Sequence, residues 1–495
     1  MKQNKTSVRI SILLVSVILC SFFILSGCRR TSSDSANNAS ETALTARESV
    51  GQGTILHCWC WSFKTIEDNL PAIKDAGFAA VQTSPANTCL VGEDGGMELY
   101  GDGKWYYQYQ PTDWKIGNYQ LGTRDEFISM CHKADELGVA VIVDVLPNHT
   151  TPEESALSPD FVAAVGGIDS LYHADGHKNL ANYSNRLACT TQAMGGLPDV
   201  DTENPLFQAY FLDYLNDLVS CGADGFRFDT AKHIALPDDP VCDPGRENDF
   251  WLVCTGVKAV GGVSLLHADG LFIYGEVLQG NNSREEAYSE YIGVTASQYG
   301  TVLQRALQNR DFLAKNLSVF RVESSGKSIV TWVESHDNYA NEGKSASLTN
   351  FELRAGYAAL AARKDGVPLF FNRPKGPEAT QFPAGARIGD SGNDEWCSPE
   401  VVAVNAFRTA MAGRDEQLSN GGEDGTDRSL LIVTRGEDGA AVGAVIINVS
   451  RTESVSYSIS FQNGTYTEKV SGERIKVKGN RLSGEAAPES ILVIW

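Results

Sequence analysis

"DGFRFDTAKH", residues 224 to 233, starts as a buried strand and ends in charge, with Arg227, Asp229, Lys232 and His233 set within seven positions among apolar neighbours. Polar groups inside a sheet must be hidden or paired. At the carboxyl ends of the strands of a parallel barrel they point into the active-site face. Seven further apolar runs of this kind recur along the chain, at 54–63, 78–85, 139–149, 271–278, 291–297, 328–337 and 367–374. The segments between them carry helical periodicity. In 206–219, for example, Leu206, Phe207, Tyr210, Phe211, Tyr214, Leu215, Leu218 and Val219 repeat every three to four residues. Eight alternating strand and helix units predict an α/β fold, a closed (β/α)8 TIM barrel, over 51–147 and 202–415.

The interval 150–223 exceeds an ordinary loop and predicts a small subdomain, placed at 148–201 and inserted after the third strand. From residue 416 the pattern changes to short alternating strands with Gly, Asn and Ser turns, as in "SLLIVTRGEDGAAVGAVIINVS". This predicts a C-terminal antiparallel β-sandwich over 416–495.

Four of the predicted strands end in acid: the third with Asp144, Asn148 and His149, the fourth with Arg227 and Asp229, the fifth with Glu276, and the seventh with Glu334, His336 and Asp337. Carboxylates converging on one mouth suit the cleavage of glycosidic bonds. One must stay ionised to meet an oxocarbenium-like sugar carbon while another holds a proton for the leaving oxygen. Arg227 would keep Asp229 charged, and Glu276, deeper among other acids, would be the proton donor. Asp144 reads as a structural hydrogen-bond acceptor. His173 and His177 are four residues apart, but Gly176 lies between them and no HExxH is present, so they read as surface loop residues rather than zinc ligands.

The 495-residue chain is 42% hydrophobic and carries a formal charge of −21, which argues against nucleic acid as a partner. Residues 1–27 contain Lys2, Lys5 and Arg9, then "ISILLVSVILCSFFIL", and end in "LSGC". They read as a secretion signal whose ending resembles the lipobox of bacterial lipoproteins, with Cys28 as the lipidated residue. Loss of these three positive charges would take −21 to −24. Residues 28–50 read as a flexible tether, so an extracellular protein anchored at the cell surface is expected, touching the membrane only through that lipid. Of eleven cysteines nine would remain, read mostly as small buried hydrophobes.

"DVLPNH" (144–149), "LPDVD" (197–201), "DGFRFDTAKH", "GEVL" (275–278) and "WVESHDNYAN" (332–341) resemble, in order, the short sequence regions of the α-amylase family of glycoside hydrolases. The resemblance covers about residues 53–495. "GTILHCWCWSF", "YQYQPTDWKIGN" and "GVPLFFNRP" look particularly like bacillus-type saccharifying α-amylases. It implies Asp229 as nucleophile, Glu276 as general acid/base and Asp337 as the third acid. Arg227 would orient the nucleophile, His149 and His336 would hold the sugar, and Tyr109 and Gln110 would flank it. Lys232, His233 and Asn341 would line the product side. The resemblance also implies a structural calcium held by Asn148, Thr190, Asp199 and the carbonyl of His233, an all-oxygen set. Asp224 and Gly222 match a second calcium position. Chloride-dependent members carry an asparagine where this chain has Ser335, so chloride dependence is not expected, nor is a starch-binding module. The expected activity is endo-hydrolysis of α-1,4 links in starch, glycogen and maltodextrins with retention, by a monomer. The alternatives are a transglycosylase on the same scaffold and a non-catalytic starch-binding lipoprotein.

Overall fold

The computed structural model describes residues 44–92, 95–101, 104–437 and 439–495. The expected signal segment, Cys28 and the tether as far as residue 43 lie outside the described residues. The end of the tether is corrected. Ala46–Gln52 is a helix, opened by a capping box in which Thr45 and Glu48 exchange hydrogen bonds, and it buries Val50 completely. Among the described residues no helix is long and apolar enough to cross a membrane.

Eight parallel strands close a barrel: β1 (Ile55–Cys58), β2 (Ala80–Thr83), β3 (Ala140–Val145), β4 (Gly225–Phe228), β5 (Phe272–Gly275), β6 (Gly293–Thr295), β7 (Ile329–Trp332) and β8 (Val367–Phe371). Each pairs with the next and β8 closes on β1. Every strand falls within one of the eight apolar runs. All six residues of β3 are buried, as expected of a strand covered on both faces. Gly225 opens β4 where the neighbouring strand leaves no room for a side chain: a Cβ there would lie 2.1 Å from the carbonyl oxygen of Phe272. The helix Pro205–Ser220 is capped by Asn204, starts on proline and buries Phe207, Phe211, Leu215 and Leu218. Leu206 departs from the expected stripe and is half exposed, because it precedes that register by one residue, about 100° around the helix.

Two loops at the carboxyl end are elaborated. The β2 loop carries a hairpin, Asn87–Cys89 against Pro111–Ile116, with a tight helical turn at Trp105–Tyr109. The β3 loop carries the subdomain, built from short helices such as Pro159–Ala164 and Arg186–Cys189 rather than from a sheet.

After the barrel, Asp415–Gly421, Asp427–Glu437, Ala440–Asn448 and Ser490–Ile494 form a four-stranded antiparallel sheet. Its period-two alternation serves two cores. Leu431, Val433, Val445, Ile447 and Val493 join the main core, whereas Leu430, Ile432, Ala444, Ile446 and Ile494 pack with Tyr457 and Phe461 in a second one. The nine cysteines among the described residues are free, seven of them buried.

Candidate active site

The mouth of the barrel is organised around Arg227. Its side chain leaves β4 almost fully buried, and Nη1 donates to both oxygens of Asp144, at 2.8 and 2.9 Å, and to Asp229 Oδ1 at 2.5 Å. Nη2 lies 3.1 Å from Glu276 Oε2. One buried cation thus meets three buried carboxyl groups, an excess of acid that burial answers by raising the pKa of Glu276 and of Asp144, the latter to about 7. Tyr109 OH completes Asp144 with a further donation at 2.9 Å, so Asp144 is a fully engaged structural acceptor, as its sequence position suggested.

Asp229 and Glu276 sit one residue beyond their strands. Their backbone N–H groups continue the sheet ladder, Asp229 donating to Val145 O at 2.9 Å and Glu276 to Phe228 O at 2.8 Å. The next residue, Thr230, is a β-branched residue in the left-handed region at φ 47°, a strained conformation. The turn it makes aims its own N–H at Glu276 Oε2, at 3.1 Å. Burial drives the Glu276 carboxyl well above the usual range. Arg227 opposes the shift, and the nearby Asp229 and Asp337 reinforce it.

Asp337 opens the wide turn Asp337–Asn341 after β7, where Asn341 Nδ2 donates to it and His336 Nε2 lies 3.5 Å away. Asn341, expected on the product side, therefore also bonds an acid. The His336 ring stacks on Tyr109, centroids 5.0 Å apart and 19° between planes. His149 Nε2 bonds the carbonyl of Tyr109 at 3.0 Å, while its buried Nδ1 finds no partner among the described residues. Burial lowers the pKa of both His149 and His336. Lys232 donates to Leu278 O at 3.3 Å and lies over the ring of Tyr183. Gln110 contacts Thr151, at 3.5 Å, rather than any catalytic acid.

Behind this pocket Asn148 Nδ2 donates to Asp199 Oδ2 at 2.9 Å and lies 3.4 Å from His233 O, whereas its buried Oδ1 has no partner among the described residues. Thr190 is buried, and its hydroxyl bonds the carbonyls of its own helix, Arg186 O and Leu187 O, rather than Asn148 or Asp199. Asp224 caps the opposite, amino end of β4 by accepting from Val141 N at 2.8 Å, and Gly222 lies against Cys131. The expectation for His173 is overturned. It is buried and held between Asp199 Oδ1 and Glu203 Oε2, both at 2.6 Å, with Asp201 at 3.6 Å. Burial opposes its charge, but the hydrogen bonds to the two carboxylates outweigh it and hold the imidazolium up to about 10. The sequence signal for this strap is the run of acids at every second position in "DVDTE", 199–203. His177, by contrast, is exposed, as expected of a loop residue. His57, the third residue of β1, also lies inside the mouth, buried, with its ring against His336 and Nε2 unpartnered among the described residues. Its sequence signal is a polar residue within the apolar run of β1. Glu334 is no catalytic acid; Arg373 holds both its oxygens at 2.7 Å.

A closed parallel barrel with three acids and an arginine at its carboxyl mouth defines a protein of the glycoside hydrolase class. No family model matches the chain. It is 46% identical to the α-amylase of Butyrivibrio fibrisolvens over 476 residues, which span 92% of this chain and 48% of that protein. It is 33% identical to the α-amylase of Clostridium acetobutylicum over 458 residues, covering 90% of this chain and 54% of that one. The chain thus spans about half the length of these curated relatives. The fold matches that of α-amylase I from Eisenia fetida with a TM-score of 0.68 at 17% identity, over 89% of this chain and 96% of that one. It also matches an Anoxybacillus α-amylase, TM-score 0.67 at 17% identity, over 90% and 98%. The chain belongs to the α-amylase family of glycoside hydrolases.

Proposed function

We propose that this chain is an endo-acting α-amylase that hydrolyses internal α-1,4 links of starch, glycogen or maltodextrins with retention of configuration. The observation that carries the reading is the shared guanidinium. Neighbouring nitrogens of Arg227 hold Asp229 and Glu276, which supports reading them as a nucleophile and acid working as one pair; retention calls for such a pair about 5–5.5 Å apart.

In this mechanism Glu276, kept protonated by burial, donates its proton to the glycosidic oxygen while Asp229 Oδ bonds to the sugar carbon and the aglycone leaves. Glu276, now ionised, takes a proton from water, which attacks the same carbon and releases Asp229. Asp337 and the unpartnered Nδ1 of His149 would bind sugar hydroxyls, and the Tyr109 ring would pack on the sugar face. The relatives named above are α-amylases, and a Geobacillus thermoleovorans α-amylase of the same fold was solved with acarbose, which supports an α-glucan as substrate. The test is hydrolysis of maltopentaose followed by proton NMR. Release of the α-anomer first is expected; β-anomer first, or no hydrolysis, sinks the proposal.

Calcium fits the site at Asn148. An amide NH2 sits where Asp199 and His233 O converge, and the orphaned Oδ1 of the same amide would replace it on rotation, turning a third oxygen towards that point. Bound there, calcium would supply charge that fixes the subdomain to the end of β4. Chelation is expected to lower the thermal unfolding midpoint of the parent and to leave that of Asp199→Ala unmoved, read by circular dichroism; at 100 Kd of calcium, binding adds about 2.7 kcal/mol. An equal response in both proteins would remove the assignment.

The chain is further proposed to be exported and anchored at the cell surface through Cys28, supported by the basic start, the apolar run and "LSGC". The mass of the mature N-terminal peptide decides it.

A further inference from the structure

The backbone that follows Asp229 is gripped by a side chain from the inserted subdomain. Arg186, its side chain 10% exposed, opens the short helix Arg186–Cys189 and reaches the turn at Ala231–His233. Nη1 donates to Lys232 O at 2.7 Å and Nη2 to Ile234 O at 3.3 Å. The carbonyl between these two, His233 O, goes elsewhere: it lies 3.4 Å from Asn148 Nδ2, where Asn148 also meets Asp199. The same short helix has a second hold on this residue, since Cys189 O accepts from His233 Nδ1 at 2.8 Å.

The guanidinium is itself fixed. Nε donates to Asp239 Oδ2 at 2.8 Å, Nη2 also reaches Tyr288 OH, and the group lies over the Tyr288 ring, 5.5 Å from its centroid. Asp239 is shared with Arg284 and accepts from Leu236 N at 2.8 Å. A rigid fork on carbonyls 232 and 234 fixes the peptide planes before and after the one that carries His233 O. A single ammonium could not hold both in this way. A cation ligand oriented by its neighbours in advance loses little freedom when the ion arrives. The side chains of Lys232 and His233, expected on the product side, leave the same turn.

We propose that Arg186 is a positioning residue that brackets His233: it presents the His233 carbonyl to calcium and, through the same turn, sets Lys232 and His233 against the leaving part of the α-glucan chain. The proposal rests on the reading of the chain as a calcium-binding α-glucan hydrolase. Because both ligands lean on one backbone segment, calcium and the leaving sugar raise each other's affinity, by the same factor.

The experiment pairs calcium binding with kinetics. Arg186→Gln leaves Asp239 its ion pair with Arg284, so the fold should survive, which circular dichroism checks. Calorimetric titration of the chelator-stripped protein with calcium chloride is expected to give a Kd about 10–100-fold above that of the parent. At saturating calcium, KM for maltopentaose should rise about fivefold or more while kcat changes less. On maltosyl fluoride, which has no sugar leaving group, the loss in kcat/KM should be about fivefold smaller or less. Arg186→Lys, which keeps the charge should the glutamine variant fail to fold, is expected to move both quantities in the same direction. Arg284→Gln breaks the other ion pair of Asp239 without touching residues 232–234, and should match the parent within about twofold in both. Equal effects in Arg186→Gln and Arg284→Gln, or equal losses on the two substrates, would leave Arg186 a purely structural role and overturn the bracket alone. A parent that binds no calcium overturns the calcium assignment and the bracket with it. A parent that cleaves neither substrate overturns the hydrolase reading itself.

Discussion

Asp229→Asn lowers kcat on soluble starch by about 10⁴-fold or more, and Glu276→Gln by about 10²–10⁴-fold. Asp229 is expected to form the bond to the sugar carbon, and an amide in its place is a far weaker nucleophile that also leaves Arg227 without one of its carboxylate partners. Glu276 acts by proton transfer, so its loss should depend on the leaving group. A maltosyl fluoride, whose departure needs little protonation, should recover most of the first step in Glu276→Gln and none of it in Asp229→Asn. Equal losses on starch and on the fluoride would reverse the two roles or abolish them. The pH profile follows from the same residue. Burial raises the Glu276 pKa and the reaction requires its protonated form, so activity is present below that raised value and falls as pH rises through it. Glu276→Gln has no proton to lose, and its residual activity should lack that alkaline fall.

Arg227→Met removes the cation from among Asp144, Asp229 and Glu276, all buried, and is expected to cost about 3–5 kcal/mol of stability at pH 7. The penalty comes less from lost attraction than from carboxylates left buried without a partner. Without the arginine the carboxyl pKa values rise, so the folded state gains protons. Stability lost at pH 7 should therefore return in part as pH falls towards 5. Arg227→Lys should recover some stability, since a charge remains, yet little activity, since one ammonium cannot reach Asp144, Asp229 and Glu276 as the guanidinium fork does. Urea unfolding at the two pH values measures this. A loss below about 1 kcal/mol for Arg227→Met would mean that the mouth is wetter than its burial indicates.

The positions of the barrel strands were legible because each lies in a short run rich in apolar residues, four of them closing in acid, a pattern set by neighbours in the chain. Asp229, Glu276 and Asp337 were legible for the same reason, as polar residues just beyond such runs. The strap on His173 was not. Residues 173, 199 and 203 are far apart in sequence, and a histidine followed two residues later by Asp175 and Gly176 reads as loop. Its burial depends on how the subdomain folds back on the start of the helix Pro205–Ser220.

The chain itself thus determined the order of elements, the sandwich after the barrel and the placing of acids beyond the strand ends, since local periodicity and strand-end chemistry are short-range properties. Only the tertiary structure decided how each acid is engaged: Asp144 and Glu334 look like Asp229 and Glu276 in sequence, but arginine takes up both oxygens of each, and Tyr109 adds a further donation to Asp144. It also decided that Tyr100 and Phe382, 282 residues apart, stack. Such pairings cost chain entropy that only the folded barrel, bringing distant loops to one rim, can offset.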